Sequence, residues 1–101
     1  MVTLSVLLTL RLAGVRSLKE KRAIVRSLVE RLRTRQRVSA AEVGLQDDLR
    51  RAEVGFAAVS GDFTTARRHV EETRRFVDQE LIGRAEVIDV QVDEVTTEPG
   101  L

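Results

Sequence analysis

The chain has 101 residues, a length that predicts one domain and not two. Hydrophobic residues make up 43% and charged residues 33%, which is the composition of a folded chain and not of a disordered one. Cysteine is absent, and this excludes disulfide bonds and cysteine-bound metals. The net charge of +1 conceals a division, because residues 1–51 carry 12 Lys and Arg against 5 Asp and Glu, whereas residues 52–101 carry 5 against 11. The division favours a basic surface with an acidic or nucleic-acid partner.

The chain begins with a pattern typical of a β-strand. Every even-numbered residue from 2 to 12 is valine or leucine, and this period of two predicts a strand with one buried face. The same stretch lacks the basic start and the small-residue cleavage site of a signal peptide. No apolar run reaches the length that a bilayer-spanning helix needs. Together with the missing cysteine, these features predict a cytoplasmic protein without membrane contact.

A helix is predicted next, from a capping box formed by Ser17 and Glu20 to about Arg35. Its apolar stripe consists of Leu18, Val25, Leu28, Val29 and Leu32. The opposite face carries a series of cations, among them Lys19, Arg22, Arg26 and Arg33. The helix is therefore expected to pack against the sheet on one side and to be basic on the other.

The remaining elements follow in the order strand, strand, helix, strand. Strands are predicted at residues 38–43 and 52–60, with a polar, turn-like segment between them. A second helix is predicted between an N-cap at Asp62 and a stop at Gly83. The last strand is predicted at residues 85–95, and its core-facing residues are expected to be Ile88, Val90 and Val92.

The order β-α-β-β-α-β predicts an α+β, ferredoxin-like sandwich. Right-handed crossovers place both helices on the same face of a four-stranded antiparallel sheet. The domain is expected to cover residues 1–96, followed by a tail at residues 97–101. This fold supports many unrelated activities, so function has to be argued from particular residues.

Two segments of the sequence are similar to a known family. Residues 16–22 read RSLKEKR, and residues 41–47 read AEVGLQD, followed by Arg51-Ala52 and Val59-Ser60. With the length and the order of elements, they resemble the YlxP-like family of small bacterial proteins over nearly the whole chain. Leu45 and Leu49 depart from that family, in which histidine and an aromatic residue are common at these positions.

The resemblance implies a ferredoxin-like fold and a function that is not established. Genes of the family often lie beside genes for transcription and translation factors, including a ribosome-binding factor, which implies a role near RNA or the ribosome. The resemblance carries over no catalytic residue.

The basic face of the first helix is the strongest candidate site in the sequence. Guanidinium groups bind phosphate in a bidentate manner, and such contacts are strongly salt-dependent. The predicted RNA or anion contacts are Arg16, Lys19, Lys21, Arg22 and Arg26, with Arg33 on the same face. The alternative is a solvated helix face with ordinary ion pairs, such as one between Arg26 and Glu30. The helix N-terminus after Gly14 is a further place for incidental anion binding.

A second candidate is the segment around the predicted second strand and the loop after it. Glu42, Gln46 and Asp47 form a predicted interaction loop. Carboxylates such as Asp47 and Asp48, with Glu42, can bind Mg²⁺ or share a proton, although turn and capping chemistry is the commoner use in a loop.

Several classes of chemistry have little support in the sequence. Acylphosphatases share the predicted fold but need a catalytic asparagine, and this chain has no asparagine. His69 is the single histidine and lies among charged helix residues, so it is expected on the surface or partly packed. We therefore predict no catalytic residues, no cofactor, no metal and no identified small-molecule substrate.

The exposed face of the predicted sheet is unusually apolar. It is expected to carry small or apolar residues together with few polar ones: Ser5, Leu7, Thr9, Ala41, Val43, Gly55, Ala57, Val59, Val87 and Asp89. Phe56 is in phase with the core and is not expected to stack on RNA bases. We expect this face to be covered by a second copy in a homodimer or by a partner protein.

The leading hypothesis is a non-enzymatic binding protein whose basic helix contacts structured RNA or a ribosomal particle. The alternative is a protein–protein interaction module or homodimeric structural protein that uses the sheet face or the acidic second half and contacts no nucleic acid.

Overall fold

A computed structural model describes residues 1–100 and confirms the ferredoxin-like architecture. Four antiparallel strands form one sheet in the order β2-β3-β1-β4, and two helices complete the chain. The elements are β1 (Val2–Leu12), α1 (Leu18–Arg35), β2 (Ser39–Gly44), β3 (Arg51–Ser60), α2 (Phe63–Glu80) and β4 (Ala85–Thr96).

The core lies between the sheet and the helices, and the central strand β1 supplies its largest share. All even-numbered residues of β1 are buried, as the period-two pattern predicted. Val6 and Leu8 stand opposite Phe56 and Val54 of β3, which are also buried. Phe56 is thus a core residue, as expected from the sequence.

Both helices start at predicted side-chain caps. The Ser17 hydroxyl accepts a hydrogen bond from the Glu20 N–H at 3.1 Å, and the Glu20 carboxylate accepts one from the Arg16 N–H at 3.1 Å. The Asp62 carboxylate accepts the Thr65 N–H at 2.8 Å, and this bond holds the pKa of Asp62 below its usual value of 3.8. These contacts satisfy N–H groups that helix ends leave unpaired.

The C-terminus of α1 is tied to α2 by polar contacts. The Gln36 carbonyl lies 2.6 Å from His69 Nε2, and the Gln36 Oε1 lies 3.4 Å from the hydroxyl of the buried Thr73. Because a carbonyl only accepts, Nε2 carries the proton in this contact. His69 is partly buried, in agreement with the prediction of a surface or partly packed helix residue.

Strand β4 differs from the prediction in its phase. The pairing between β1 and β4 shifts by one residue next to Thr9, so that Val87 stands opposite Leu10 and Ile88 is left without a partner. Val87 therefore packs against the core, and Ile88 is 44% exposed, whereas the sequence predicted the reverse. A bulge of one residue exchanges the two faces of the strand, which explains the error.

The two other predicted core residues of β4 lie on the expected face but are poorly covered. Val90 and Val92 stand opposite Leu8 and Val6 on the helix side of the sheet. They are 37% and 53% exposed, because β4 is an edge strand beyond the area that the helices cover. Thr97, the first residue of the predicted tail, still exchanges hydrogen bonds with Met1. Residue 101 of that tail lies outside the described residues.

Candidate functional site

Lys21 is the residue around which the candidate site is built. Its side chain is fully buried. Its ammonium donates hydrogen bonds to three backbone carbonyls, those of Asp48 at 2.6 Å, of Gln46 at 3.4 Å, and of Leu45. The Glu42 carboxylate lies 3.9 Å away. Three donors thus meet three carbonyl acceptors, which compensates for the burial of the charge.

This environment corrects the prediction for Lys21. An ammonium without solvent exposure cannot contact RNA phosphates, so Lys21 does not belong to the exposed basic face. The sequence held a signal for this placement, because Lys21 lies three residues after Leu18 and four before Val25, within the apolar stripe of α1. Its partners are 24 to 27 residues away in the chain, so the pattern alone did not reveal them.

The β2–β3 loop that Lys21 holds has a tight internal structure. Leu45 adopts a left-handed backbone with φ of 55°, which is unusual for a leucine. The Asp48 carboxylate accepts the N–H groups of Arg50 at 2.7 Å and Arg51 at 3.0 Å. These two bonds, with Arg50 the stronger, hold the pKa of Asp48 below its usual value of 3.8. Asp48 thus performs the turn chemistry that is common for aspartate in loops.

A groove between α1 and the β2–β3 region brings the two predicted sets of residues together. It has a volume of about 630 Å³. One wall is formed by Arg22, Arg26, Glu30 and Arg33 of α1, and the other by Glu42, Gln46 and Asp47. The basic helix and the predicted interaction loop are separate segments of the sequence, whereas in the structure they line opposite sides of one groove.

The arginines of the groove form no ion pair within 4.0 Å in residues 1–100, although Glu30, Glu42 and Asp47 line the same groove. Of the α1 cations, Arg31 pairs with Glu80 of α2 at 2.6 Å, while Lys21 has the longer contact already described. Within residues 1–100, neither Arg22 nor Arg26 forms an ion pair, so the pair between Arg26 and Glu30 that illustrated the alternative is not formed. Arg22 and Arg26 therefore keep guanidinium groups that no carboxylate of the described residues contacts.

Arg33 has a fixed position at the end of the groove nearest β2. Its Nε donates to the Ala40 carbonyl at 2.9 Å, which anchors the guanidinium group against the strand. A guanidinium has five donors, so one backbone contact does not exhaust its capacity to bind an anion. The sequence showed that Arg33 was basic and outward-facing but not that β2 would hold it.

The other predicted cations lie outside the groove. Arg16 and Lys19 are exposed at the start of α1. At the N-terminal anion site considered above, the Ser17 and Glu20 side chains accept the N–H groups of Glu20 and Arg16, so the protein itself uses part of that site. Arg16 and Lys19 add positive charge near the groove without lining it.

Asp47 and Asp48 do not act as a carboxylate pair. The Asp48 carboxylate contacts the backbone of Arg50 and Arg51, whereas Asp47 lines the groove. In the part of the chain that the structure describes, no three His, Asp or Glu side chains are placed to hold a metal ion. None of the helices in residues 1–100 is both long and apolar enough to span a membrane.

Comparison with known proteins assigns the chain to a family. The family model described as "Protein of unknown function (DUF503)" matches residues 3–92. The chain belongs to the DUF503 family. It is 36% identical over 62 residues to "Uncharacterized protein YlxP" of Bacillus subtilis (strain 168), an alignment that covers 61% of this chain and 67% of that protein. The predicted YlxP-like membership is thereby confirmed.

The fold of this DUF503 protein is also similar to that of a solved structure. A "De novo designed protein Foldit4" has a TM-score of 0.50 and 17% sequence identity, and the match covers 95% of this chain and 99% of that one. At this identity the match supports the architecture alone and says nothing about function.

We expect the loop wall of the groove to depend on Lys21. Replacing Lys21→Met keeps the length of the side chain but removes the donors for the three carbonyls, so the free energy of unfolding falls by about 1–3 kcal/mol. The matched control is Lys19→Met, which removes an exposed ammonium and changes stability by less than about 0.5 kcal/mol. Urea denaturation followed by circular dichroism measures both, and equal stability of the two variants would contradict the assignment.

Proposed function

We propose that the protein is a non-enzymatic RNA-binding protein whose groove between α1 and the β2–β3 loop holds structured RNA. The observation that carries the proposal is the wall of arginines, Arg22, Arg26 and Arg33, that no carboxylate of the described chain pairs with. Unpaired guanidinium groups on one helix favour a polyanion over a neutral ligand.

The two walls suit different parts of a nucleotide. Arg22 and Arg26, one turn apart on α1, present guanidinium groups to successive phosphates. The carboxylates of Glu42 and Asp47 repel phosphate but accept hydrogen bonds from amino groups of bases and from ribose hydroxyls. This polarity orients an RNA strand with its backbone toward α1 and its bases or sugars toward the loop.

The proposal assigns binding and no chemical step to these residues. The groove is lined by guanidinium, carboxylate, amide and aliphatic groups. A hydrolytic site needs a nucleophile held by a base and an electrophilic stabiliser around one reacting atom. The carboxylate of Asp47 and the amide of Gln46 have no such partner among the residues that line the groove.

We expect charge reversal at Arg22 and Arg26 to weaken RNA binding strongly. The double variant Arg22→Glu with Arg26→Glu weakens binding to structured RNA at least about tenfold at low salt and lowers the salt slope by about 2, since two phosphate contacts are lost. Fluorescence anisotropy with a labelled RNA hairpin over a salt series measures both quantities.

The matched control reverses two exposed arginines of α2, Arg68→Glu with Arg75→Glu, and changes the net charge by the same amount. Unchanged RNA affinity in the α1 variant, or equal losses in the two variants, would contradict the proposal. Co-sedimentation of the wild type with ribosomal fractions, with and without nuclease, distinguishes free structured RNA from RNA within a ribosomal particle.

A second function is favoured by the open face of the sheet. A shallow groove there is lined mostly by apolar or small residues, including Leu7, Val43 and Ala57, and by Gln91 and Asp93 at its β4 side. Val59, on the same face, is 60% exposed. Apolar area of this kind marks an interaction surface, and its position on a sheet face fits a two-fold contact between copies of the chain.

This second function predicts a homodimer that a charge on the sheet face dissociates. Ala57→Glu places a carboxylate between Ser5 and Ser39 in the middle of the face and is expected to give a monomer. Ile82→Glu, at an exposed site between α2 and β4, is the control and leaves the dimer intact. Analytical ultracentrifugation over a concentration series decides, and a wild type that stays monomeric throughout would exclude the homodimer.

A further inference from the structure

The outer edge of β4 is a free strand edge at the opposite end of the sheet from the RNA groove. Strand β4 pairs with β1 on one side, and no strand of residues 1–100 pairs with it on the other. Met1 and Thr97 exchange two hydrogen bonds, from the Met1 amine at 2.9 Å and from the Thr97 N–H at 2.8 Å. Met1 and Thr97 are therefore a hydrogen-bonded pair, and this pair determines which β4 residues direct their N–H and C=O groups toward β1.

Hydrogen-bonded and non-hydrogen-bonded pairs alternate along an antiparallel ladder. Counting from the Met1–Thr97 pair, Asp89, Gln91, Asp93 and Val95 direct their N–H and C=O groups toward β1. The residues between them direct theirs away from the sheet, and these are Val90, Val92 and Glu94. Their backbone groups are therefore available to a further strand.

On the helix side, this edge borders an uncovered apolar groove. Its apolar lining is Val92, Leu4 of β1, and Phe63 and Val70 of α2, and its charged lining is Glu94 with the ion-paired Arg67 and Glu71 of α2. Val92 is 53% exposed and Phe63 is 44% exposed. An added strand would place every second side chain against these residues, so apolar side chains fit those positions.

The other face of the edge is acidic. Asp89 and Asp93 lie there on either side of Gln91, and residues 85–100 contain five carboxylates, Glu86, Asp89, Asp93, Glu94 and Glu98, but no Lys or Arg. The alternate side chains of an added strand would stand beside Asp89 and Asp93. Opposite charges on directly facing residues stabilise a strand pair, and like charges destabilise it.

The same charges disfavour a second copy of β4 as the added strand. Two copies of β4 would bring together strands that carry carboxylates and no Lys or Arg, and in the register centred on Gln91 Asp89 of one copy would stand opposite Asp93 of the other. The bulge at Ile88 also interrupts the edge, so that regular pairing is confined to residues 89–96. The acidic side chains therefore favour pairing of this edge with a cationic segment over pairing with a second copy of β4.

We propose that β4 binds a basic, extended peptide segment of another protein as a fifth strand of the sheet. The segment is about eight residues long and alternates apolar residues, which enter the groove beside Val92 and Phe63, with Lys or Arg, which face Asp89 and Asp93. Main-chain hydrogen bonds to Val90, Val92 and Glu94 supply affinity, and the acidic face supplies selectivity.

The proposal is tested with an eight-residue peptide of alternating valine and lysine and a matched peptide of alternating valine and glutamate. We expect the lysine peptide to bind and to slow amide hydrogen exchange at Val90, Val92 and Glu94 by at least about tenfold, because these N–H groups become hydrogen-bonded. Exchange at Gln91 and Asp93, already bonded to β1, changes much less. The glutamate peptide is expected to leave all of these amides unaffected.

Two variants locate the contact. Val92→Pro removes an N–H that points away from the sheet, so no hydrogen bond to β1 is lost, and it is expected to weaken lysine-peptide binding at least about tenfold. Val92→Thr retains this N–H and is expected to bind the peptide within about threefold of the wild type. Asp89→Lys with Asp93→Lys is expected to reverse the preference toward the glutamate peptide. Because the two sites are separate, the RNA affinity of these variants is expected to stay at the wild-type value. A failure of peptide binding would therefore not contradict the proposal of RNA binding, which is tested by the α1 variants.

Three results would overturn the proposal. One is a wild type that does not bind the lysine peptide, and another is binding that Val92→Pro leaves unchanged. The third is a dimer that Val92→Pro dissociates, since this would make a second copy the occupant of the edge.

Discussion

The buried ammonium of Lys21 is the interaction on which the proposed site depends. It joins the first turn of α1 to three carbonyls of the β2–β3 loop, across 24 to 27 residues of sequence. An isolated buried charge is unfavourable, so the carbonyls must stay in place for α1 to pack as it does. The same contacts fix Leu45 in its left-handed conformation and keep Gln46 and Asp47 beside the arginines of α1. One internal lysine thus contacts the segment that forms the second wall of an external groove.

This arrangement gives the charge division of the sequence a physical meaning. The helices are neighbours, so the basic α1 and the acidic second half could have neutralised each other, but within the described residues Arg31 and Glu80 form the ion pair between them. Much of the remaining acidity lies in β4, at the far edge of the sheet from the groove. The molecule therefore has a basic end and an acidic edge, and the two proposals use these separately.

The sequence predicted the fold because each element has a clear local signal, such as the unbroken period of two in β1 and the caps at Ser17 and Asp62. It failed in β4, where valines occupy both faces and nothing local marks the bulge at Ile88. At the site it identified the basic residues but assigned Lys21 to the surface, where lysine is usually found. The groove itself depends on contacts between distant segments, which no pattern along the chain records.

An NMR titration of ¹⁵N-labelled protein with an RNA hairpin at low salt tests most directly whether RNA binds in the groove between α1 and the β2–β3 region. We expect the changes in amide chemical shift on addition of RNA to concentrate on both walls of the groove, in residues 22–33 of α1 and 42–47 of the β2–β3 region. These changes are expected to disappear as the salt concentration is raised. Shifts confined to α1 would mean that the loop wall does not take part. Shifts on the open sheet face, or none at all, would contradict the account.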